Sequence, residues 1–308
     1  MLAMILGVQR SALWRGAALF LSMSLVHLWA LPALAADLTA WSPEVRALVE
    51  TLIQENARTT SRGHPDGSPG GAPGPRPVVV FDFDNTMIKG DIAYGVLLYQ
   101  AIHGRFGFDP ARSPEIMSPV VAKLFEASGD APAGEAGERL RRQRQYALFA
   151  RYRELTAEKG KTAALLYLVH LLSGLTVEEV HELTRVSFAW FQTVPTCERS
   201  FEPEGLPGKA VTKAYGVRLR EPIRAMLKTL RDADFELWVV SASPKWVVDV
   251  GAGAYGVPPD HVLGTRTRLD AEGRVTSEVD PPVTYRQGKV DAIKANVGRR
   301  PLLIFGDS

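Results

Sequence analysis

The chain has very few of the residues that build disulfides and zinc sites. Cys197 is the single cysteine among 308 residues, which excludes an intrachain disulfide. The six histidines are scattered without HxH or HExxH spacing, so we expect no zinc site. The formal net charge is only +2, which gives no indication of nucleic-acid binding. Composition therefore gives no direct indication of function, and the informative features are local sequence motifs.

The first 35 residues have the layout of a secretory signal peptide. Arg10 and Arg15 precede an uncharged apolar stretch, which closes on an A-x-A site ending at Ala35 after the helix-breaking Pro32. The alternative is an uncleaved membrane anchor, because the stretch approaches the ~20 residues that span a bilayer. We expect cleavage after Ala35 and an exported protein, periplasmic or secreted, without stable membrane association.

Residues 36–77 are predicted to form a helix followed by a linker. Ser42 is a suitable N-cap and Pro43 suits the first turn, so we predict a helix from Trp41 to Ala57. The stretch 62–77 is rich in Gly and Pro and has no apolar periodicity, which is typical of an extended linker. The ordered domain is expected to begin at about Val78.

Three apolar segments share one design. PVVVFDFDNT, FELWVVSASP and RPLLIFGDS are nearly continuous apolar runs, as strands covered on both faces require. Polar side chains follow each run: Asp82, Asp84 and Thr86 the first, Ser241 and Ser243 the second, and Asp307 the third. Ligands bind at the carboxyl ends of such strands in open α/β sheets. We therefore predict an α/β fold with a parallel sheet and a site at this edge.

The two aspartates of the first segment are the strongest local signal. A carboxylate is unfavourable in apolar surroundings unless it is paired, and two neighbouring carboxylates raise each other's pKa. Packing gives no reason to place Asp82 and Asp84 together after a buried strand. We expect the pair to hold a cation or to take part in chemistry.

Helical segments fill the intervals between the strands. We assign 78–90 and 217–308 to a catalytic core, and 91–216 to a helical cap inserted just after the aspartates. Within the cap, Thr176 and Glu179 are spaced as a capping box. In the core we predict helices over Glu221–Asp232, after Pro244 with Ser243 as its cap, and over QGKVDAIKANVG before the third strand.

The motifs, taken in order, resemble those of the haloacid dehalogenase-like superfamily. They are D-x-D-x-T after one strand, Ser241 after another, Lys289 near the start of a later helix, and G-D-S at Asp307. The arrangement resembles the phosphoserine phosphatase-like branch with a helical cap, and exported phosphorylcholine phosphatase-type members in particular. The resemblance spans Val78 to Ser308 and implies a Rossmann-like core with an all-helical cap.

This resemblance implies hydrolysis of a small phosphomonoester through an aspartyl-phosphate. Asp82 would be the nucleophile, and Asp84 would be the general acid and base. Mg²⁺ would be held by Asp82, by the main-chain carbonyl of Asp84 and by Asp307, since hard oxygen ligands suit this ion. An acid at Asp84 favours a phosphate ester, because a halide leaves without a proton.

The resemblance also implies a cradle for the phosphoryl group. Ser241 would donate a hydrogen bond to it, and Lys289 would supply positive charge. Thr86 and the backbone amides near Asn85 and Ala242 would complete the cradle. The alternatives are that Ser241 is a helix cap and that Lys289 lies on a solvated face.

Substrate choice is expected to come from the cap. Five aromatic residues are candidates for a surface that binds a quaternary ammonium group, with packing in the cap core as the alternative: Tyr146, Phe149, Tyr152, Trp190 and Phe191. Arg218 and Arg220, near the return to the core, are candidates for contact with an anionic group.

The sequence is also compatible with two other functions. The family usually continues G-D-S-x-x-D, whereas this sequence ends at Ser308, so we expect this 308-residue form to bind Mg²⁺ weakly. The first alternative is therefore a catalytically impaired phosphate-binding protein on the same scaffold. The second is a phospho-aspartate receiver module, although its acids follow a different order and it has no large helical insertion.

Overall fold

A computed structural model of the protein describes residues 38–61, 75–126 and 129–307. The predicted signal peptide, 1–35, and residues 62–74 of the predicted linker lie outside the described residues. No helix within these three ranges is both long enough and apolar enough to cross a membrane.

The strands form one main sheet and two small antiparallel pairs. They are β1 (Val78–Phe81), β2 (Ile88–Lys89), β3 (Cys197–Phe201), β4 (Val211–Tyr215), β5 (Arg218–Leu219), β6 (Glu236–Pro244), β7 (Val262–Leu269), β8 (Val275–Asp280) and β9 (Leu303–Phe305). The main sheet has the order β8-β7-β6-β1-β9. All its pairings are parallel except β7 with β8. This is the parallel α/β arrangement that the three apolar segments predict.

Helices fill the intervals between the strands. They are α1 (Pro43–Ser61), α2 (Ile92–His103), α3 (Pro119–Lys123), α4 (Glu135–Lys159), α5 (Lys161–His170), α6 (Val177–Thr193), α7 (Glu221–Asp232), α8 (Lys245–Gly253) and α9 (Gln287–Val297). Helix α7 has the predicted bounds, and α1 continues four residues beyond the predicted end. The capping box of α6 is present, with both reciprocal hydrogen bonds between Thr176 and Glu179.

Strand β1 is central because both of its faces are covered. Val79 and Phe81 belong to one hydrophobic cluster, and Val78 and Val80 belong to another that includes Ile293 of α9. None of the four β1 side chains is more than 1% exposed. Side chains alternate between the faces of a strand, so a strand covered twice needs a continuous apolar run. The segment VVVF has that run.

The chain between β2 and β5 forms the inserted part. Strands β2 and β5 pair antiparallel, with Ile88 opposite Leu219 and Lys89 opposite Arg218, so the outgoing and returning segments lie side by side. Helices α2 to α6 lie between them, as predicted. The same stretch also contains the antiparallel pair β3–β4, which an all-helical cap does not include. The boundaries at residues 91 and 216 stay predictions.

The predicted cap of α8 is wrong. The helix begins at Lys245, and within the described part of the chain its N-cap residue, Pro244, makes no side-chain capping bond. Strand β6 runs through to Pro244, so the backbone at Ser243 is extended. The Ser243 hydroxyl donates instead to the carboxyl group of Asp84.

Candidate active site

The site begins where β1 ends. The backbone N–H of Asp82 donates to the carbonyl of Phe305 at 2.8 Å, which ties the tip of β1 to the tip of β9. Its carboxylate Oδ1 accepts a hydrogen bond from the N–H of Phe83 at 2.8 Å. The chain then makes an irregular turn, Phe83–Met87, in which Asn85 has a φ of 57°. Asn is among the non-glycine residues that adopt this left-handed region most readily.

Lys289 lies directly against Asp82. Its Nζ is 2.6 Å from Asp82 Oδ2, and the two side chains are 23% and 14% exposed. Burial raises the pKa of Asp82 above its ordinary value, although the charge and hydrogen bond of Lys289 oppose the shift. The charge of Asp307 raises this pKa further, so the two carboxylates are close enough to repel each other. Lys289 thus contacts one of two neighbouring acidic groups.

Asp84 is held by groups from two elements. Its Oδ2 accepts hydrogen bonds from Ser243 Oγ at 2.6 Å and from Ser241 Oγ at 3.1 Å. Its Oδ1 accepts from the N–H of Ile92, at the start of α2, at 2.8 Å. Burial, and after it the charge of Asp91, raise the pKa of Asp84 to about 8 despite these hydrogen bonds. Burial beside a second acid therefore favours the protonated form of this carboxyl group.

A buried threonine network stands behind the serines. Thr284 Oγ1 donates to the carbonyl of Ser241 at 2.5 Å, and Thr265 Oγ1 donates to the carbonyl of Ala242 at 3.0 Å. The two threonine hydroxyls are 2.9 Å apart. Thr284 precedes α9, which carries Lys289, so the network connects β6, β7 and the approach to α9. The sequence gives no signal for these threonines.

Ser243 was also missed as a site residue, although a signal for it exists. Ser241 and Ser243 are two positions apart in β6, and residues at i and i+2 of a strand point to the same face. Both hydroxyls accordingly reach the carboxyl group of Asp84. Spacing alone would therefore have suggested Ser243 once Ser241 was assigned to the site.

The remaining predicted cradle residues are near the turn but have different surroundings. Asn85 uses its side chain to accept from the N–H of Gly90 at 3.2 Å, and its carbonyl accepts from Arg220 at 2.8 Å. Thr86 is fully buried, and its hydroxyl has no hydrogen-bond partner among the residues described. The phosphate-binding roles of Asn85, Thr86 and Ala242 stay predictions.

The aromatic side chains of the insertion are mostly packed into its core. Tyr146, Phe149, Tyr152 and Phe191 are each at most 2% exposed, and Trp190 is partly buried against them. This burial favours the packing alternative over a binding surface.

The two arginines near the return to the core contact backbone carbonyls. Arg218 donates to Val217 and Val194, and Arg220 donates to Asn85. Their contact with an anionic ligand stays a prediction.

The donor set fits Mg²⁺ in its chemistry. In the described ranges no group of three His, Cys, Asp or Glu side chains is arranged to hold a metal. The set implied by the resemblance needs only two side chains, Asp82 and Asp307, together with the carbonyl of Asp84. All three donors are hard oxygens, which Mg²⁺ prefers. A cation between Asp82 and Asp307 would also relieve their mutual repulsion.

The site lies at the carboxyl ends of the central strands of a parallel α/β sheet. Acidic groups and a lysine meet there. A family model described as haloacid dehalogenase-like hydrolase matches residues 140–308, more than half of the chain. The chain belongs to the haloacid dehalogenase-like hydrolase family. The matched range includes Ser241, Lys289 and Asp307, whereas Asp82 and Asp84 precede it.

Solved structures extend the likeness to the fold. A conserved protein of unknown function from Anaerococcus prevotii DSM 20548 is 18% identical, with a TM-score of 0.60, and the match covers 86% of this chain and 79% of that one. A phosphoserine phosphohydrolase-like protein from Francisella tularensis subsp. tularensis SCHU S4 is 14% identical over 71% and 73% of the two chains, with a TM-score of 0.35.

A substrate-bound phosphoserine phosphatase is 15% identical over 73% and 74% of the two chains, with a TM-score of 0.34. No curated protein matches the chain.

Proposed function

We propose that the protein is an Mg²⁺-dependent phosphomonoester hydrolase that acts on a small soluble ester through an aspartyl-phosphate on Asp82. The observation that carries the proposal is the 2.6 Å contact of Lys289 with Asp82 at the tip of β1, with the second acid, Asp84, two residues away. Membership of the hydrolase family supports the same reaction class.

The first displacement forms a bond between an Asp82 carboxylate oxygen and phosphorus while the bond from phosphorus to the ester oxygen breaks. Asp84 gives its proton to the departing oxygen, and the raised pKa of its carboxyl group supports this role. Lys289 stabilises the negative charge of the transferring phosphoryl group.

In the second displacement Asp84 takes a proton from water, and the resulting oxygen attacks phosphorus. Phosphate leaves and the Asp82 carboxylate is restored. When bound by Asp82, the Asp84 carbonyl and Asp307, Mg²⁺ supplies positive charge that offsets the repulsion between the attacking carboxylate and the phosphoryl oxygens.

The proposed substrate is a phosphorylcholine- or phosphoserine-like ester, as the family resemblance suggests. The proposed location is outside the inner membrane, which rests on the signal-like sequence of residues 1–35. The alternative, a catalytically impaired phosphate-binding protein, would bind phosphate but hydrolyse no ester. An assay of ester hydrolysis therefore distinguishes this alternative from the enzyme.

The test is hydrolysis of p-nitrophenyl phosphate by the full chain, with and without added Mg²⁺. We expect Mg²⁺-dependent release of p-nitrophenol, lost by at least about 10³-fold in Asp82→Asn. Lys289→Met should lower kcat by about 10²–10³-fold, because a preorganised charge at the phosphoryl group is removed.

Lys294→Met is the matched control, since Lys294 lies exposed on the same helix, α9, and we expect it to keep wild-type turnover. Wild-type protein that releases no p-nitrophenol with Mg²⁺ present would overturn the proposal.

A further inference from the structure

Two lysines of the inserted part share one aromatic pair beside the reacting acids. Lys161, the first residue of α5, has its Nζ 2.5 Å from the hydroxyl of Tyr152 and 4.9 Å from the centroid of that ring. Lys213 of β4 lies 4.6 Å from the same centroid and 5.4 Å from that of Tyr94. Tyr94 and Tyr152 contact each other edge to face at 5.9 Å. Helices α2, α4 and α5 and strand β4 therefore meet here.

Electrostatic coupling connects this cluster to the candidate active site. Asp91, the N-cap of α2, accepts a hydrogen bond from the N–H of Tyr94 at 3.1 Å. After burial, the charge of Asp91 is the strongest influence on the pKa of Asp84. The charges of Lys161 and Lys213 act in turn on Asp91. The N–H of Ile92, the residue after Asp91, donates to Asp84 Oδ1 at 2.8 Å, so the lysine cluster adjoins the acid that is proposed to protonate the departing oxygen.

The positive charge of the lysine pair is not balanced. Across the described ranges, neither ammonium group has a carboxylate oxygen within 4.0 Å. Two lysine side chains adjoin one acid, Asp91, on which both act electrostatically, so basic groups outnumber acidic groups in this cluster. Burial, and then the charge of Lys161, lower the pKa of Lys213. Ammonium groups held half-buried without an ion-pair partner are unfavourable unless a ligand compensates them.

The same contacts argue against a cationic ligand. A quaternary ammonium group binds the faces of aromatic rings. At Tyr152 the chain's own ammonium groups, those of Lys161 and Lys213, already lie near the ring. A further cation there would be repelled by both lysines.

We propose that Lys161 and Lys213 form a subsite for a carboxylate on the leaving group of the phosphomonoester. The inference rests on the proposed function and narrows its substrate to esters of hydroxy acids. The hydroxyls of Tyr152 and Tyr94 accept hydrogen bonds from Lys161 at 2.5 Å and from Lys213 at 3.5 Å, so they position the ammonium groups, and the lysines supply the charge of the subsite. Nothing in this assignment requires Lys161 or Lys213 to take part in proton transfer.

A matched pair of esters tests the subsite. 3-Phosphoglycerate and glycerol 3-phosphate differ only in a terminal carboxylate against a hydroxymethyl group. Binding of each to Asp82→Asn is measured by calorimetry, which needs no turnover. We expect 3-phosphoglycerate to bind at least about tenfold more tightly, as a charge-assisted contact requires. Phosphorylcholine should bind no better than glycerol 3-phosphate.

Variants of the lysines separate recognition from packing. Adding Lys213→Met to Asp82→Asn should remove most of the tenfold preference for 3-phosphoglycerate over glycerol 3-phosphate, and Lys213→Arg should retain it. Lys209→Met changes the same charge at an exposed position of the insertion and should leave the preference intact. If Lys213→Met does not fold, Lys161→Met gives the same readout.

The outcomes distinguish the two proposals. The subsite would be overturned if the two esters bound with equal affinity. It would also be overturned if the preference for 3-phosphoglycerate survived in both Lys213→Met and Lys161→Met. Neither outcome depends on the turnover of p-nitrophenyl phosphate. The wild-type protein could instead bind 3-phosphoglycerate more tightly than glycerol 3-phosphate and hydrolyse none of the esters. That result would support the subsite and overturn the enzymatic function.

Discussion

The hydroxyl of Ser243 lies 2.6 Å from Oδ2 of Asp84, although the two residues are 159 positions apart in the chain. Strands β1 and β6 are parallel neighbours, so their carboxyl ends bring the two side chains to the same edge of the sheet. Ser243 thus contacts the proposed proton donor. We regard it as a positioning residue.

Removing this hydroxyl should affect esters according to their leaving groups. In Ser243→Ala the Asp84 carboxyl loses one of the groups that orient it, and we expect kcat for an alkyl phosphate to fall about tenfold. Formation of the aspartyl-phosphate from p-nitrophenyl phosphate should change much less, because p-nitrophenolate leaves without a proton. The burst of p-nitrophenol measures that step directly.

Two further variants make the interpretation specific. Asp84→Asn should give the same dependence on leaving group with a larger loss, and Ser243→Thr, which retains a hydroxyl, should recover most of the activity. An equal loss for both esters in Ser243→Ala would contradict a role through Asp84.

The sequence predicts those strands that have a run of apolar residues. β1 and β6 are apolar because both of their faces are covered, whereas β9 has an apolar run although its Ile304 is 46% exposed, so the expectation of two covered faces is wrong for β9. The pair β7–β8 was not predicted, since VTSEVD of β8 is mostly polar and partly exposed at the sheet edge. β3 and β4 are short, and β3 is largely exposed, so no apolar run indicates them.

The candidate site also contains residues that the sequence reveals and residues that it does not. Asp82 and Asp84 could be identified because carboxylates after a buried strand conflict with their surroundings. Lys289 could be identified only through motif order, since nothing in its helix distinguishes it from Lys294. Lys161 and Lys213 could not be identified at all, because their importance depends on both approaching the ring of Tyr152 from separate elements, α5 and β4.

Packing beneath the aspartates can be tested with two glycines of α8. A Cβ added to Gly251 would lie 2.3 Å from Cζ of Phe83, the fully buried residue between Asp82 and Asp84. We expect Gly251→Ala to lower the free energy of unfolding by about 1–3 kcal/mol, as overpacking does, and to reduce turnover by displacing Phe83.

Gly253 provides the matched control in the same helix. No heavy atom of the described residues would lie within 4 Å of a Cβ added there, beyond its own helix backbone and chain neighbours. Gly253→Ala should therefore raise the free energy of unfolding by about 0.4–1 kcal/mol, because alanine restricts the unfolded chain. Urea denaturation measures both variants, and equal effects would refute the proposed contact with Phe83.

His170, in the last turn of α5, should make stability depend on pH. Burial lowers the pKa of its imidazole, although a backbone contact with Ser277 and the charge of Glu115 oppose the shift. Its Nε2 is buried, and no hydrogen-bond partner for it occurs in the described part of the chain. The neutral ring is therefore favoured in the folded protein, whereas the unfolded chain protonates it near pH 6.5.

The sign of the pH effect follows from this difference in pKa. The unfolded state binds the proton first as pH falls, so the stabilising contribution of neutral His170 is fully present above the unfolded pKa. It is lost as pH falls below about 6.5 towards the lower folded pKa, at no more than about 1.4 kcal/mol per pH unit.

In His170→Gln this contribution is absent. Urea denaturation at pH 7.5 and pH 5 should therefore show a smaller decrease in unfolding free energy for the variant than for the wild type. An identical decrease in both proteins would mean that the folded protein binds the proton on His170 as readily as the unfolded chain does.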